Sequence, residues 1–270
     1  MAQEKKSHIA IDDLRNCGTE VHYEVTSSKA SPARGSLSEY LGTIYRDRWA
    51  SIRSLLTSSA NIAVLLFQRK KARLLASSTQ AIRLHLGCGP SYKEGWINID
   101  LALWSPTAVR EWIARKRTGA KERLDLMWDL RRGLPFPDNS VEAIFSEHVM
   151  EHFDYGAGLA LLKECHRVLQ PGGVLRSGVP DLERYIHSYD GGDPIIDDVR
   201  PGRPTRAIAL SEIFFHHGHR AMYDYETIAF ACREAGFSST EHSAFAQGHL
   251  GAEVDSEVRR SETLYVEATK

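Results

Sequence analysis

The stretch Ile82-Arg-Leu-His-Leu-Gly-Cys-Gly-Pro-Ser-Tyr-Lys-Glu-Gly-Trp-Ile-Asn-Ile-Asp100 constrains the fold of this chain more than any other. Ile82, Leu84 and Leu86 alternate with Arg83 and His85, which is the period of a strand. Gly87-Cys88-Gly89 then forms a turn at which backbone can approach a ligand that a Cβ would push away. Trp96, Ile97 and Ile99 read as a second strand ending at Asp100. If the two strands are neighbours, the Asp100 carboxylate stands beside the glycine turn and can accept two hydrogen bonds from a ribose diol. The layout is that of a nucleotide-type cofactor site.

It departs from the dinucleotide fingerprint. That pattern adds a third glycine and places its acidic residue about 20 positions further on. Here Pro90 follows the second glycine and Asp100 comes early, so a nicotinamide oxidoreductase is the weaker alternative. The crossover from Gly89 to Trp96 is also too short for a full helix.

The following segments make the expectation specific. Leu124-Asp-Leu-Met-Trp-Asp129 ends an apolar run in a carboxylate, and Leu134-Pro-Phe-Pro-Asp-Asn-Ser140 is a turn-rich entry to the strand Val141-Glu-Ala-Ile-Phe145. Ser146-Glu-His-Val-Met-Glu-His-Phe153 leads into a helix ending in Glu164-Cys-His-Arg-Val-Leu-Gln170. The turn Pro171-Gly172-Gly173 and the strand Val174-Leu-Arg-Ser-Gly-Val179 follow. In this order and spacing, the motifs from about residue 80 to residue 270 resemble the class I S-adenosylmethionine-dependent methyltransferases, in particular their small-molecule (type 11-like) branch.

The resemblance implies an α/β fold: a doubly wound, mainly parallel seven-stranded sheet of the Rossmann-like methyltransferase type, with an antiparallel last strand. It implies S-adenosyl-L-methionine as cofactor. Gly87, Cys88 and Gly89 would lie against its methionine part, and Asp100, with Leu101 after it, would hold the ribose hydroxyls. Asp129 and Leu130 would meet the adenine, although Asp129 could instead cap the turn toward Arg131 and Arg132, and Asp125 could take its place. Ser146, Glu147 and His148, at the end of the fourth strand, would face the methionyl chain and the reacting methyl. The expected reaction is methyl transfer to a small molecule, most plausibly at a hydroxyl oxygen. Carbon methylation of an electron-rich double bond, as in terpenoid–indole pathways, is the alternative; it would need a cation-tolerant aromatic pocket, for which Trp104, Trp112, Phe214 and Phe215 are candidates. No Asn-Pro-Pro-Tyr or Asp-Pro-Pro-Tyr follows the fourth strand, so nucleic acid and protein-glutamine methylases are not matched. A noncatalytic module of the same fold would bind no cofactor, against which the intact glycine turn and Asp100 weigh.

Two histidine clusters could carry the chemistry. His152 is the candidate base on the helix after the fourth strand, since an imidazole with an ordinary pKa near ~6.5 suits proton removal at neutral pH; it could equally line or stabilise the pocket. His148-Val-Met-Glu-His152 also matches the H-x-x-E-H pattern of inverted zinc peptidases. That motif belongs within a helix, whereas here it begins where a buried strand should end, and no metal is assigned. In Phe214-Phe-His-His-Gly-His-Arg-Ala-Met-Tyr-Asp224, His219, Arg220 and Tyr223 could bind or deprotonate an acceptor. The closely spaced histidines could also bind metal or cap the loop, and for His216 and His217 a structural role is expected.

The formal net charge of −1, from 34 basic and 35 acidic residues, gives no footprint for a polyanion, so nucleic acid is not an expected partner. The four cysteines, Cys17, Cys88, Cys165 and Cys232, have no CxxC spacing and suggest a reducing compartment. With neither a signal-peptide core nor an apolar run near the ~20 residues of a membrane span, a soluble cytoplasmic protein without a membrane partner is expected. Residues 1–80 read as an N-terminal extension preceding a methyltransferase domain at 81–270. Within the extension, Tyr40, Tyr45 and Trp49 lie on an amphipathic helix over 36–56, and a second helix runs over about 59–76 with a solvated basic face. An exposed aromatic face needs a cover, so the extension is expected to cap the active site or join two chains as a homo-oligomer. Residues 186–224 read as an insert over the carboxyl ends of the strands.

Overall fold

The structure, a computed structural model, describes residues 62–78, 81–101 and 124–270. The expected helix over 36–56 and the candidate pocket residues Trp104 and Trp112 lie outside the described residues. Seven strands form one sheet: β1 Ile82–Leu86, β2 Ile97–Asp100, β3 Leu126–Met127, β4 Val141–Glu147, β5 Leu169–Pro180, β6 Ser239–Ser243 and β7 Thr263–Thr269. Their spatial order is β3-β2-β1-β4-β5-β7-β6. Every pairing from β3 to β5 is parallel, and β7 runs antiparallel to both β5 and β6. The expected doubly wound sheet with one inverted strand is therefore present. Its strand order reverses between β1 and β4, and a crevice at the carboxyl ends of the strands opens at such a reversal.

The two faces of the sheet are covered differently. Ile82, Leu84 and Leu86 of β1 and Ile144 of β4 face a large core shared with α2 (Tyr155–Val168) and α6 (Tyr225–Ala235). Leu161, Leu162, Cys165 and Val168 supply the buried stripe of α2, whose first turn is capped by Asp154 accepting from Ala157 N–H at 2.9 Å. Asp224 caps α6 in the same way at 2.8 Å, and the helix stops before Gly236 as the sequence implies. The helix α1 (Ile62–Ser78) lays Ala72 into this core, and the Arg69 guanidinium lies 5.9 Å from the Trp128 ring. This helix, which falls within the expected extension, thus packs against the sheet beside β3.

On the opposite face no helix follows β1, in keeping with the short crossover. Trp96, Ala143 and Phe145 are covered there by Leu250 and Val254 from the segment before β7. Arg83 clamps Glu253 of that segment bidentately, at 2.7 and 2.6 Å, and the Trp96 indole donates to the same carboxylate at 2.9 Å. Arg176 of β5 is fully buried beneath it. Its guanidinium donates to both oxygens of Asp255, to Glu267 at 3.1 Å and to the carbonyls of Ala244 and Gln247.

Three sequence expectations are revised. The 3-10 turn Met150–His152 precedes α2, so His152 is not a turn into the helix; Asp154, a stronger cap, starts the helix later. The Pro171-Gly172-Gly173 turn is absorbed into the long strand β5. The Gly- and Pro-rich insert is largely helical: α3 Leu182–Tyr189, α4 Ile195–Val199 and α5 Arg206–Phe215 enclose a small core of Tyr185, Ile195, Ile196, Ala209 and Ile213.

Candidate functional site

At the end of β1, Gly87 has φ +61 and a Cβ there would collide with Val149 Cγ2, so both backbone conformation and packing demand glycine. Gly89 has φ +49, and a Cβ at that position would project into open space. The turn is therefore bare backbone facing the crevice. Gly89 N–H donates to Asp100 Oδ2 at 2.7 Å, and Cys88 N–H donates to Ile99 carbonyl at 3.1 Å. The glycine turn and the carboxylate are thus one unit, as the spacing implied. Cys88 is buried, and burial raises its thiol pKa well above the ordinary range, which leaves a filler rather than a nucleophile. Leu101 follows on the surface.

These features fit S-adenosylmethionine at the level of donor chemistry: a glycine turn with open space at Gly89 and an anchored carboxylate that can accept from a diol. Elsewhere the expected contacts are already engaged. The Asp129 carboxylate accepts from the Arg131 backbone N–H at 3.1 Å and from its Nε and Nη2 at 2.8 Å, capping the 3-10 turn Leu130–Arg132. Burial opposes ionisation of Asp129, but the Arg131 hydrogen bonds prevail and its pKa is lowered. Asp125 accepts from Asn98 N–H at 3.0 Å, and Leu130 is buried in the main core. Ser146 is buried and donates to Ser177 Oγ at 3.2 Å. Glu147 accepts from Tyr265 Oη at 2.8 Å and from Ser256 N–H at 3.2 Å.

Past β4 the chain turns sharply at His148, which has φ +54. Its Nε2 lies 2.8 Å from Thr263 Oγ1, whose own hydroxyl donates to the Arg259 carbonyl at 2.7 Å. The threonine proton being used, His148 Nε2–H is the donor, and Nδ1 faces Glu151 Oε1 at 3.4 Å. Glu151 is completely buried, and neither of its carboxylate oxygens has a hydrogen-bond partner among the described residues. His219 Nε2 lies 3.9 Å from the same oxygen, and the His152 and His219 rings meet edge to face at 4.9 Å. The Glu151 carbonyl accepts from Arg220 N–H at 2.7 Å and Ala221 N–H at 3.2 Å, which pins the loop carrying His219 against the turn carrying His152. Burial holds the His219 imidazole down at about 4, against the opposing pull of Glu151.

These groups line a cavity of about 650 Å³ beside the ends of β4 and β5. Its wall includes His148, Glu151, His152 and His219, Tyr185 and Arg200 from the helical insert, and Arg259 and Glu262 from the approach to β7. Tyr185 Oη donates to Glu262 at 2.8 Å, and Arg259 donates to the same carboxylate at 2.6 Å. His217 is held by Arg200 Nη2 at 2.9 Å. Phe214 and Phe215 do not line this cavity, and Phe215 is exposed on the surface. The two expected histidines, His152 and His219, are brought together. Glu151 and the arginine–glutamate pair before β7 were not singled out from sequence. The H-x-x-E-H pattern could have drawn attention to Glu151; nothing local marks Arg259 or Glu262.

Residues 84–176 match the family described as methyltransferase domain. A 58-residue segment is 45% identical to malonyl-[acyl-carrier protein] O-methyltransferase 1 of Coxiella burnetii, and covers 20% of this chain and 20% of that protein. Among solved structures, a methyltransferase from Archaeoglobus fulgidus aligns over 81% of this chain and 99% of its own, with 15% identity and a TM-score of 0.44. One from Aquifex aeolicus aligns over 74% and 88%, with 14% identity and a TM-score of 0.41. Among the described residues, no helix is long and apolar enough to cross a membrane. The matched segment, about a third of the chain, runs from β1 into β5 and contains the glycine turn, Asp100 and the end of β4, and over these residues the sequence is that of a methyltransferase domain.

Proposed function

We propose that this chain transfers the methyl group of S-adenosylmethionine to a hydroxyl oxygen of a small polar molecule held in the cavity beside β4 and β5. The observation that carries the reading is the chemistry of the cavity wall. Histidines, carboxylates and arginines dominate it, with Tyr185 and the aliphatic Pro180, Val199, Ile213 and Val258 between them, and His148, Glu151 and His152 of this wall directly follow β4, the strand next to β1 and its glycine turn. Such a wall suits an acceptor with several hydroxyl groups; carbon methylation would call for an aromatic cage around a cation. When bound, the cofactor supplies an electrophilic methyl on a sulfonium. The backbone of residues 87–89 and the Asp100 carboxylate hold and orient it. Positioning of two reactants can contribute ~7–11 kcal/mol. In this reading His152 or His219, both on the cavity wall, takes the acceptor proton.

The test uses the full chain, methyl-labelled S-adenosylmethionine and a panel of polyhydroxylated, amino and alkenyl small molecules, with the labelled product assigned by NMR. A methoxy product is expected. His152→Gln should bind the cofactor as the parent does and lose turnover by about 10²–10⁴. A label found only on nitrogen or carbon, or undiminished turnover in the variant, would overturn the proposal.

A further inference from the structure

Among the described residues, the fully buried carboxylate of Glu151 has no partner that accounts for it. Burying an ionised carboxylate without hydrogen bonds or a countercharge is strongly unfavourable, and native proteins rarely leave one so. The nearest groups are imidazoles, at 3.4 Å for His148 and 3.9 Å for His219, and neither completes a hydrogen bond to it. His148 spends its Nε2–H on Thr263, so in its neutral form it turns a lone pair rather than a proton toward Glu151. A carboxylate facing the His148 lone pair finds no cation there.

We infer that Glu151, His152 and His219 form a binding site for one divalent transition-metal ion of the zinc class, on the wall of the acceptor cavity. One donor atom from each of the three lies within 4.8 Å of the other two. Metal–nitrogen and metal–oxygen bonds of about 2.0–2.2 Å place tetrahedral donors about 3.3–3.6 Å apart, so closing the site takes a movement of about 1 Å. The exposed His152 can make it. Two imidazoles with one carboxylate select zinc, cobalt or iron over magnesium or calcium, which prefer all-oxygen shells. Three protein ligands with an open position are the arrangement of a catalytic rather than a structural site. The site is also organised from outside: the Glu151 carbonyl bonds hold the two ligand-bearing segments together, and His148, fixed by Thr263, backs the carboxylate.

The binding inference stands independently of the methyl-transfer reading; its catalytic meaning rests on it. An acceptor hydroxyl that reached the open position would have its pKa lowered by the cation, so that the proton could leave near neutral pH without a free imidazole as base.

The experiment titrates Zn²⁺ and Co²⁺ into full-length protein stripped with a chelator, by calorimetry and by the visible spectrum of bound cobalt. One equivalent per chain, a four- or five-coordinate cobalt spectrum and a rise in melting temperature on metal addition are expected. Glu151→Gln, His152→Gln and His219→Gln should each weaken binding at least about 10–100-fold, the scale on which even supporting residues act, whereas His216→Gln should not. His152 is exposed, so its variant keeps the test valid if the other two fail to fold. Absence of a stoichiometric site in the parent protein would overturn the inference. Binding unchanged in all three ligand variants would overturn it as well. S-adenosylmethionine titrated in parallel separates the two readings: a protein that binds it but not zinc refutes the metal site alone, and one that binds zinc but not the cofactor refutes the methyl-transfer reading alone.

Discussion

Replacing Asp100 separates its structural role from its ligand role. Its Oδ2 accepts from Gly89 N–H at 2.7 Å, a charge-assisted bond that fixes the glycine turn. Asp100→Asn keeps an oxygen for that N–H and so retains the turn, but it loses the charge and, on the proposed assignment of this carboxylate to the cofactor ribose, replaces an acceptor with a donor. Asp100→Ala removes both. A hydrogen bond to a charged group contributes about 1.5–3 kcal/mol, and each 1.4 kcal/mol is a factor of ten in affinity. Asn should therefore weaken S-adenosylmethionine binding by about 10–100-fold with little change in melting temperature. Ala should weaken it at least as much and also lower stability by about 1 kcal/mol or more, because the Gly89 N–H loses its partner. Calorimetric titration with the cofactor and its demethylated product, alongside thermal melts, measures both. If Asn binds like the parent, the carboxylate serves only the turn and its assignment to the ribose is wrong.

Two stability predictions test the rest of the frame. Arg176→Met should cost about 3–5 kcal/mol in denaturant unfolding, because it leaves Asp255 and Glu267 buried without their countercharge; a loss below about 1 kcal/mol would show that these carboxylates find other partners. For His85, burial pushes the pKa from 6.5 down to about 4, so the folded protein holds it neutral while the unfolded chain takes up a proton. Its contribution is complete above pH 6.5 and is lost as pH falls toward 4, about 3 kcal/mol in all at 1.36 kcal/mol per unit. Unfolding free energies of the parent and His85→Gln compared between pH 7 and pH 4 should show a steeper acid loss in the parent, and parallel profiles would refute the assignment.

What could be read from the sequence was local. The alternation in β1, the glycine turn and the early Asp100 lie within one strand–turn–strand unit, and the structure joins them through Gly89 and Asp100. The Asp154 and Asp224 caps and the stop at Gly236 follow from short-range side-chain and backbone preferences of the same kind. Position 152 was misplaced because the helical pattern runs back past its cap: hydrophobic spacing does not distinguish a 3-10 turn from the first turn of a helix. The helices of the 182–215 insert were obscured by Gly191, Gly192, Pro194, Pro201, Gly202 and Pro204, which punctuate short helices as readily as they form loops. Arg176 gave no signal at all. Asp255 and Glu267, which neutralise it, are 79 and 91 residues away, and a lone arginine in a strand usually faces solvent.

The inverted strand explains why the least legible residues stand at the cavity. In a wholly parallel sheet, every strand would begin at the edge remote from the ligand crevice. β7 runs the other way beside β5, so its first residues and the loop before them arrive at the carboxyl ends of the parallel strands. From there Thr263 fixes the His148 ring, Tyr265 holds Glu147, and Arg259 with Glu262 closes the cavity against Tyr185 of the insert. The same approach segment covers the sheet face that the short first crossover leaves without a helix, clamped there by Arg83 and Arg176. The glycine turn and Asp100 belong to the parallel half, near the amino end of the matched segment. The cavity wall is drawn from the 3-10 turn after β4, the helical insert with the loop that follows it, and the approach to β7 at 258–262. Features compressed into one motif are therefore recognisable in the sequence, whereas a cavity assembled from distant segments becomes visible only when β7 brings them to the same edge.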